Sequence, residues 1–437
     1  MISAKVIGAG LAGCEAAWTL AENGIQVFLY EMKPERYTPA HHYAGFAELV
    51  CSNSLKASRL ESAAGMLKEE MRMMGSVTMM CAEKSAVGAG GALAVDREKF
   101  SDLVTEKICH HPNIRVISGE VTEIPDGYTM IATGPLTSDA LASSVQALCG
   151  EKYLSFFDAA APIITAESID MDKVFFAARY GRGEDDYLNC PMNQEEYQAF
   201  YEALTEAERA PLSTFDQRDF KVYEGCMPVE VMARRGPDTL RFGPLKPVGL
   251  RDPRTGKRPW AVLQLRKENI EGSLYNLVGF QTNLKFGEQK RVFSMIPGLE
   301  QAEFIRYGVM HRNTFLDSPR LLNSAFQLKK EPRIFFAGQI TGVEGYIESA
   351  ASGIWAGYNL SRILKGREIL ALPPETMLGA LSRYISNPAV TDFQPMGSNM
   401  GILPPLAQPV RDKKERYGLL AQRGITALRQ LLQAVSE

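Results

Sequence analysis

Six residues near the start of the chain, Gly8-Ala9-Gly10-Leu11-Ala12-Gly13, constrain the fold more than any other stretch. Lys5-Val6-Ile7 ahead of them reads as a short buried strand, and the segment from Cys14 to Gly24 behind them as a helix closed by a glycine. Ile25-Gln26-Val27-Phe28-Leu29-Tyr30 reads as a second strand with Glu31 at its end. In such a strand–turn–helix unit the first glycine permits the tight turn, the second lets backbone approach a pyrophosphate, and the third lets helix pack on strand. The pyrophosphate then meets the positive end of the helix. Glu31 follows Gly8 by 23 residues, near the ~20 expected of the acid that binds a ribose hydroxyl. Gly8–Gly13 and Glu31 therefore predict a dinucleotide site, with flavin and nicotinamide both open.

A second cluster narrows the ligand. Arg333–Gln339 reads as a strand ending in the small turn Ala337-Gly338-Gln339, followed by Thr341-Gly342-Val343-Glu344-Gly345-Tyr346 and a small-residue helix from Ile347 to Leu364. This looks like the second flavin contact of two-part FAD oxidoreductases, in which a helix start faces the polar edge of the flavin. Met130-Ile131-Ala132-Thr133-Gly134-Pro135 resembles their intervening strand. Each element alone reads as an ordinary strand-to-helix turn, but three in this order favour FAD.

The middle of the chain differs. Between about Ala166 and Asn283 the βα rhythm is lost. From Arg234 to Lys267 there are ten Lys/Arg against two carboxylates, Asp238 and Asp252, in a chain whose net charge is −3. Glycines and prolines interleave the run, so it reads as basic loops. Arg234, Arg235, Arg241, Lys246, Arg251, Arg254, Lys257 and Arg258 are candidate phosphate contacts for a polyanion such as RNA. A solvated face paired with acids elsewhere is the alternative. The mixed-sign stretch Arg411–Arg416 reads as a helix face.

Seven cysteines stand at least 28 residues apart, which excludes CxxC zinc or redox pairs and points to a reducing cytosol. Cys51 follows the apolar run Phe46–Val50 and precedes Ser52-Asn53-Ser54, a context in which a helix could start and lower the thiol pKa. Cys226 sits in a turn between Gly225 and Pro228. Cys14, Cys81, Cys109, Cys149 and Cys190 read as small buried hydrophobes. His41, His42, His110, His111 and His311 show no ligand spacing, so no metal is expected. The glycine motif so near residue 1 leaves no room for a signal peptide, and the charge-free stretch Phe393–Val410 carries four prolines and is not expected to span a membrane.

Taken together, the strings resemble the folate- and FAD-dependent tRNA (uracil-5-)-methyltransferases of bacteria, the TrmFO family, from end to end. They are Gly8–Gly13, Pro39–His42, Phe46–Ser54, Leu67–Arg72, Gly90–Arg97, Ala132–Ser138, Glu224–Glu230, Asp238–Leu250 and Ala337–Tyr346. The resemblance implies transfer of a one-carbon unit from 5,10-methylenetetrahydrofolate to C5 of the T-loop uridine of tRNA. FAD would act as reductant, with NAD(P)H re-reducing it. It also implies Cys226 as the nucleophile and Cys51 as a second thiol, with Tyr346 packed on the isoalloxazine or the base. The related GidA (MnmG) family, which modifies the wobble uridine, shares the glycine motifs but is longer. The same methylation of ribosomal RNA is a further alternative, as are a non-catalytic flavin-containing RNA-binding protein and a small-molecule flavin oxidoreductase. Cys14 replaces an expected Ser, while Gly397 and Met400 replace an Asn and a Phe in a C-terminal loop. The expected fold is α/β: a Rossmann-like FAD-binding domain, 1–165 and 284–437, split by an inserted basic α+β RNA-binding domain, 166–283.

Overall fold

Short apolar strands with no polar face have to be covered on both sides, which is the condition for a parallel sheet. The computed structural model describes residues 2–150, 154–181, 184–210, 227–391 and 393–436. Five of its strands lie in the order Ile334–Phe336, Thr129–Ile131, Ser3–Ile7, Gln26–Glu31, Ile114–Ser118, every neighbouring pair parallel. The Rossmann-like α/β fold expected from the glycine motifs is thus present. The strand of the first motif, Ser3–Ile7, is the central one and that of the second, Ile334–Phe336, is an edge strand, with only Thr129–Ile131 between them.

Two helices fix this half. Leu11–Glu22 and Tyr346–Leu364 pack on one another along small residues. A Cβ added at Gly353 would stand 2.2 Å from the Ala12 carbonyl oxygen, and one at Gly357 would stand 3.0 Å from that of Ala16. Backbone therefore touches backbone there, and both helix N-termini are brought to the same edge of the sheet.

The second half is antiparallel. Six strands run in the order Phe175–Phe176, Tyr187–Met192, Ala261–Lys267, Leu274–Leu277, Ile163–Thr165, Phe304–Arg306. The helix Gln194–Glu206, started by an Asn193/Glu196 capping box, and the helix Phe286–Phe293 accompany this sheet. Their Phe200 and Phe293 rings pack on Phe280 with centroids 6.0 and 5.2 Å away. The loss of βα alternation after Ala166 corresponds to this sheet. Its core draws on residues 164–302, whereas the core around the parallel sheet draws on residues 4–149 and 315–428. The chain leaves through Leu154–Ala159 and returns through Met310–Phe315, which pair antiparallel.

Two expectations fail. No helix starts at Cys51: Ser54–Ala57 is a strand beside Ala92–Val95. The amide of Val95 donates to the Asn53 carbonyl, while Asn53 Nδ2 donates to the carbonyls of Val95 and Lys267. Sheet pairing captures the segment whose small polar residues favour a helix cap. Cys109 is exposed, because it ends the helix Arg97–Cys109 on its outer side, whereas Cys14, Cys81, Cys149 and Cys190 are buried.

A Gly353→Val substitution should therefore push the two helices apart. Overpacking of this kind costs about 1–3 kcal/mol, measurable as a lowered denaturant midpoint, together with weaker retention of the ligand held between the helix starts.

Candidate active site

A cavity of about 450 Å³ opens where the two helix starts meet, and it collects nearly all of the predicted ligand residues. Gly8, Ala9, Gly10, Leu11, Ala12, Glu31, Cys51, Gly338, Gln339, Gly345 and Tyr346 line it. Gly13 does not: a Cβ there would fall 1.8 Å from the Gly8 carbonyl oxygen, so its role is to let the helix close on the turn. Gly8 itself has φ +94°, a conformation that favours glycine.

The walls fit a flavin dinucleotide. Nothing lies within 4 Å of a Cβ built on Gly10, so backbone faces open space where a pyrophosphate would lie. The helix Leu11–Glu22 begins at Gly10 without a side-chain cap, and Tyr346–Leu364 begins likewise at Gly345. Uncapped amides and the positive helix end are the donors an anion needs. Glu31 Oε2 accepts from Ala9 N (2.7 Å) and Oε1 from Lys33 N (2.9 Å). A carboxylate offers about four acceptor positions, so Glu31 is aimed and still free to accept ribose hydroxyls. Lys33 beneath it donates to the Tyr43 and Gly45 carbonyls and pairs with Glu48 at 3.2 Å.

Cys51 is held from two directions. Tyr346 Oη accepts from Cys51 N (2.7 Å) and Ser52 N (3.3 Å) and stands 3.0 Å from Cys51 Sγ. From the antiparallel sheet, Arg266 donates to Asn53 Oδ1 (2.8 Å) and Ser52 Oγ (2.9 Å). Arg97 donates to the Leu49 and Val50 carbonyls, both at 2.9 Å, and pairs with Glu268 at 2.6 Å. Burial works against the Arg97 charge, yet the Glu268 carboxylate prevails and holds the guanidinium above its ordinary pKa. Burial pushes the Tyr346 hydroxyl well above the usual tyrosine range.

Below this segment, Lys68 is buried and donates to three successive carbonyls, Leu55 (2.7 Å), Lys56 (3.1 Å) and Ala57 (2.7 Å). Burial pushes its pKa down to about 8. Those three bonds hold Lys56 at φ +63°. From there its ammonium reaches Glu348 at 2.7 Å. The Ser398 amide and hydroxyl donate to the same Glu348 oxygen, which ties down the C-terminal loop carrying Gly397 and Met400. Cys14 tolerates its position because it is fully buried and donates to the Ala9 carbonyl at 3.3 Å.

Arg97, Arg266, Glu268 and Lys68 had no role in the sequence reading. Arg97 and Lys68 lie inside recognised strings, but their partners are set by the tertiary fold. Cys226 lies outside the described residues. Among the predicted basic residues, Arg234, Arg235, Arg251, Lys257 and Arg258 are exposed. Arg254 is paired with the buried carboxylate of Asp252 (2.8 Å), and Arg241 stacks on Trp260 at 3.7 Å while pairing with Asp238. Lys246 is half-buried. Beside Arg241, Phe242 is 82% exposed, an apolar ring standing in a basic loop. Among the described residues no helix is long and apolar enough to cross a membrane.

Residues 3–368 match the model of the family described as Glucose inhibited division protein A. Two proteins named Methylenetetrahydrofolate--tRNA-(uracil-5-)-methyltransferase TrmFO are similar over nearly their whole length. The one from Acetivibrio thermocellus is 59% identical over 433 residues, 99% of this chain and 99% of that one. The one from Lactiplantibacillus plantarum is 58% identical over 424 residues, 97% of this chain and 96% of that one. The solved structure of Aquifex aeolicus GidA superposes with a TM-score of 0.72 at 16% identity, covering 98% of this chain and 73% of that one. That likeness speaks for the fold.

Glu31→Ala removes the acceptor for Ala9 N and for a ribose hydroxyl. Losing hydrogen bonds to a charged group costs about 1.5–3 kcal/mol each. The purified variant should therefore carry visibly less bound flavin, read from its absorbance, while its far-ultraviolet circular dichroism is unchanged.

Proposed function

The chain belongs to the glucose inhibited division protein A family, and from that premise we propose that it methylates C5 of the T-loop uridine of tRNA, taking the one-carbon unit from 5,10-methylenetetrahydrofolate. The observation that carries this reading is the 59% identity, over nearly the full length, to a protein named Methylenetetrahydrofolate--tRNA-(uracil-5-)-methyltransferase TrmFO, together with a cysteine fixed in the dinucleotide cavity. Identity of 59% over 99% of both chains favours this reading over wobble-uridine modification.

Bound FAD supplies the reducing electrons, NAD(P)H restoring them. The protein has to do the rest: bind, aim and activate. Uracil C5 is a poor carbon nucleophile until a thiolate adds at C6 and leaves an enolate. We assign that addition to Cys226 and a second role, moving protons near the transferred carbon, to Cys51. Gly8–Ala12, Glu31, Gly338, Gln339 and Gly345 hold the dinucleotide, and Tyr346 stands between that ligand and Cys51. We keep the division the sequence suggested, FAD-binding parts around an RNA-binding insert, but extend the insert past its expected end at 283, because the core of the antiparallel sheet reaches residue 302 and its last strand is Phe304–Arg306. The insert's exposed Arg234, Arg235, Arg251, Lys257 and Arg258 neutralise phosphates, and Phe242 offers a face for an unpaired base. Arg241 and Arg254, held by their own acids, and the half-buried Lys246 contribute less. Widely spaced cysteines, six of them in no disulfide, fit work in the reducing cytosol.

The deciding experiment incubates the protein with methylenetetrahydrofolate, NAD(P)H and unmodified tRNA or ribosomal RNA transcripts, then maps nucleosides by mass spectrometry. 5-Methyluridine in the tRNA T-loop is expected; methylation confined to ribosomal RNA would change the target, and none at all would overturn the reading. In the same assay Cys226→Ala should abolish product while flavin stays bound. Reversing the charges of Arg251, Lys257 and Arg258 should weaken tRNA binding and flatten its dependence on salt. Phe242→Ala should weaken it by about 1–3 kcal/mol, a stacking loss, with the salt dependence retained. Filter binding across a salt series distinguishes the two.

A further inference from the structure

The hydrogen-bond inventory around Tyr346 leaves one place for its proton. A phenol oxygen carries one O–H and accepts through its remaining lone pairs. Here the amides of Cys51 and Ser52 both donate to it, at 2.7 and 3.3 Å. Among the described residues, the remaining neighbour within bonding distance is Cys51 Sγ at 3.0 Å. Were the thiol the donor, the oxygen of the half-buried Tyr346 would accept three times and its own proton would find no acceptor among the described residues, an unfavourable arrangement. The arrangement that satisfies every one of these groups puts the proton on the line from Oη to Sγ. Two amides on the oxygen also make it a better donor, since hydrogen bonds in a chain polarise one another.

We propose that the Tyr346 hydroxyl donates to Cys51 Sγ and thereby keeps Cys51 as a thiolate at neutral pH. Tyr346 is then a positioning residue that sets the charge of the second thiol, in addition to any contact with the dinucleotide.

The surrounding charges agree. Arg97, on the helix Arg97–Cys109, feels both Cys51 and Tyr346, and it grips the carbonyls of Leu49 and Val50 just before the cysteine. Arg306, from the antiparallel sheet, is within electrostatic reach of Tyr346 and Arg97. Its Nη2 is buried and has no hydrogen-bond partner among the described residues. The acids on this side are engaged: Glu268 by Arg97 and Glu48 by Lys33. The cavity is also lined by Glu31, His41, Lys56, Glu120 and Glu344. Burial lowers the pKa of His41, so it adds no charge to offset a thiolate at neutral pH. The upward shift of the Tyr346 hydroxyl means the phenol keeps the proton it donates.

The catalytic use of that thiolate rests on the methyl-transfer reading, but its existence is tested without turnover. FAD-loaded protein is alkylated with iodoacetamide across a pH series, and carboxamidomethylated Cys51 is quantified by peptide mass spectrometry. The midpoint for Cys51 is expected below the ~8.5 of an ordinary cysteine. Tyr346→Phe, which keeps the ring, should raise it by about one to two units, the strength of one hydrogen bond to a charged group. A wild-type midpoint at or above the ordinary value overturns the proposal, as does an unchanged midpoint in a Tyr346→Phe protein that retains flavin. Should that variant not fold, protein grown with 3-fluorotyrosine, a more acidic phenol, decides instead. The Cys51 midpoint is then expected to fall, and a midpoint unmoved by the fluorine refutes the assignment. A shifted midpoint with no 5-methyluridine formed would keep this inference and sink the functional reading.

Discussion

Everything at the candidate active site depends on how closely the helices Leu11–Glu22 and Tyr346–Leu364 approach. Ala12 and Ala16 present carbonyls to Gly353 and Gly357 with no side chain between them. That contact joins sequence segments more than three hundred residues apart. It also places two uncapped N-termini on one cavity and brings Tyr346, the first residue of the later helix, against Cys51. Bulk at either glycine would separate the dinucleotide turn from the tyrosine.

A second layer of control comes from the antiparallel sheet. Arg266 and Glu268 stand at the end of the buried strand Ala261–Lys267 and reach across to Ser52, Asn53 and Arg97. These are charge-assisted bonds with buried or half-buried partners, where the low dielectric makes each bond stronger and each loss more costly. The Cys51 segment is thereby a joint between the two cores. A disturbance of the sheet that carries the basic loops has a short path to the thiol.

Much of this was legible in the chain itself. Gly8–Gly13 and Glu31 announce their geometry because a dinucleotide turn demands fixed residues at fixed local spacing. The strand–Gly–helix around Gly338 and Tyr346 does so for the same reason. Arg266 was invisible in that sense. It counted as one more cation in a basic run, since nothing near it in sequence indicates that its partners lie 213 and 214 positions earlier. Cys51 lines the cavity but stands at no helix start, because pairing of Ser54–Ala57 with Ala92–Val95 outweighs local capping preference. Arg254 and Arg241 likewise read as free charges until Asp252, Asp238 and Trp260 took them up.

The exit and return of the chain through Leu154–Ala159 and Met310–Phe315 bears on how it is made. In the parallel sheet, Thr129–Ile131 lies between Ser3–Ile7 and Ile334–Phe336, and 203 positions separate Ile131 from Ile334. On the ribosome the amino-terminal half emerges with that strand as an open edge and with the Ala12–Ala16 face of its first helix uncovered. Both stay so until the antiparallel sheet and the returning strand have been synthesised. An unpaired edge is a template for wrong pairing, and synthesis proceeds at about 5–20 residues per second. The nascent chain therefore spends on the order of ten seconds or more in that state, long enough for chaperones to matter, and the antiparallel sheet is the part able to complete its core first.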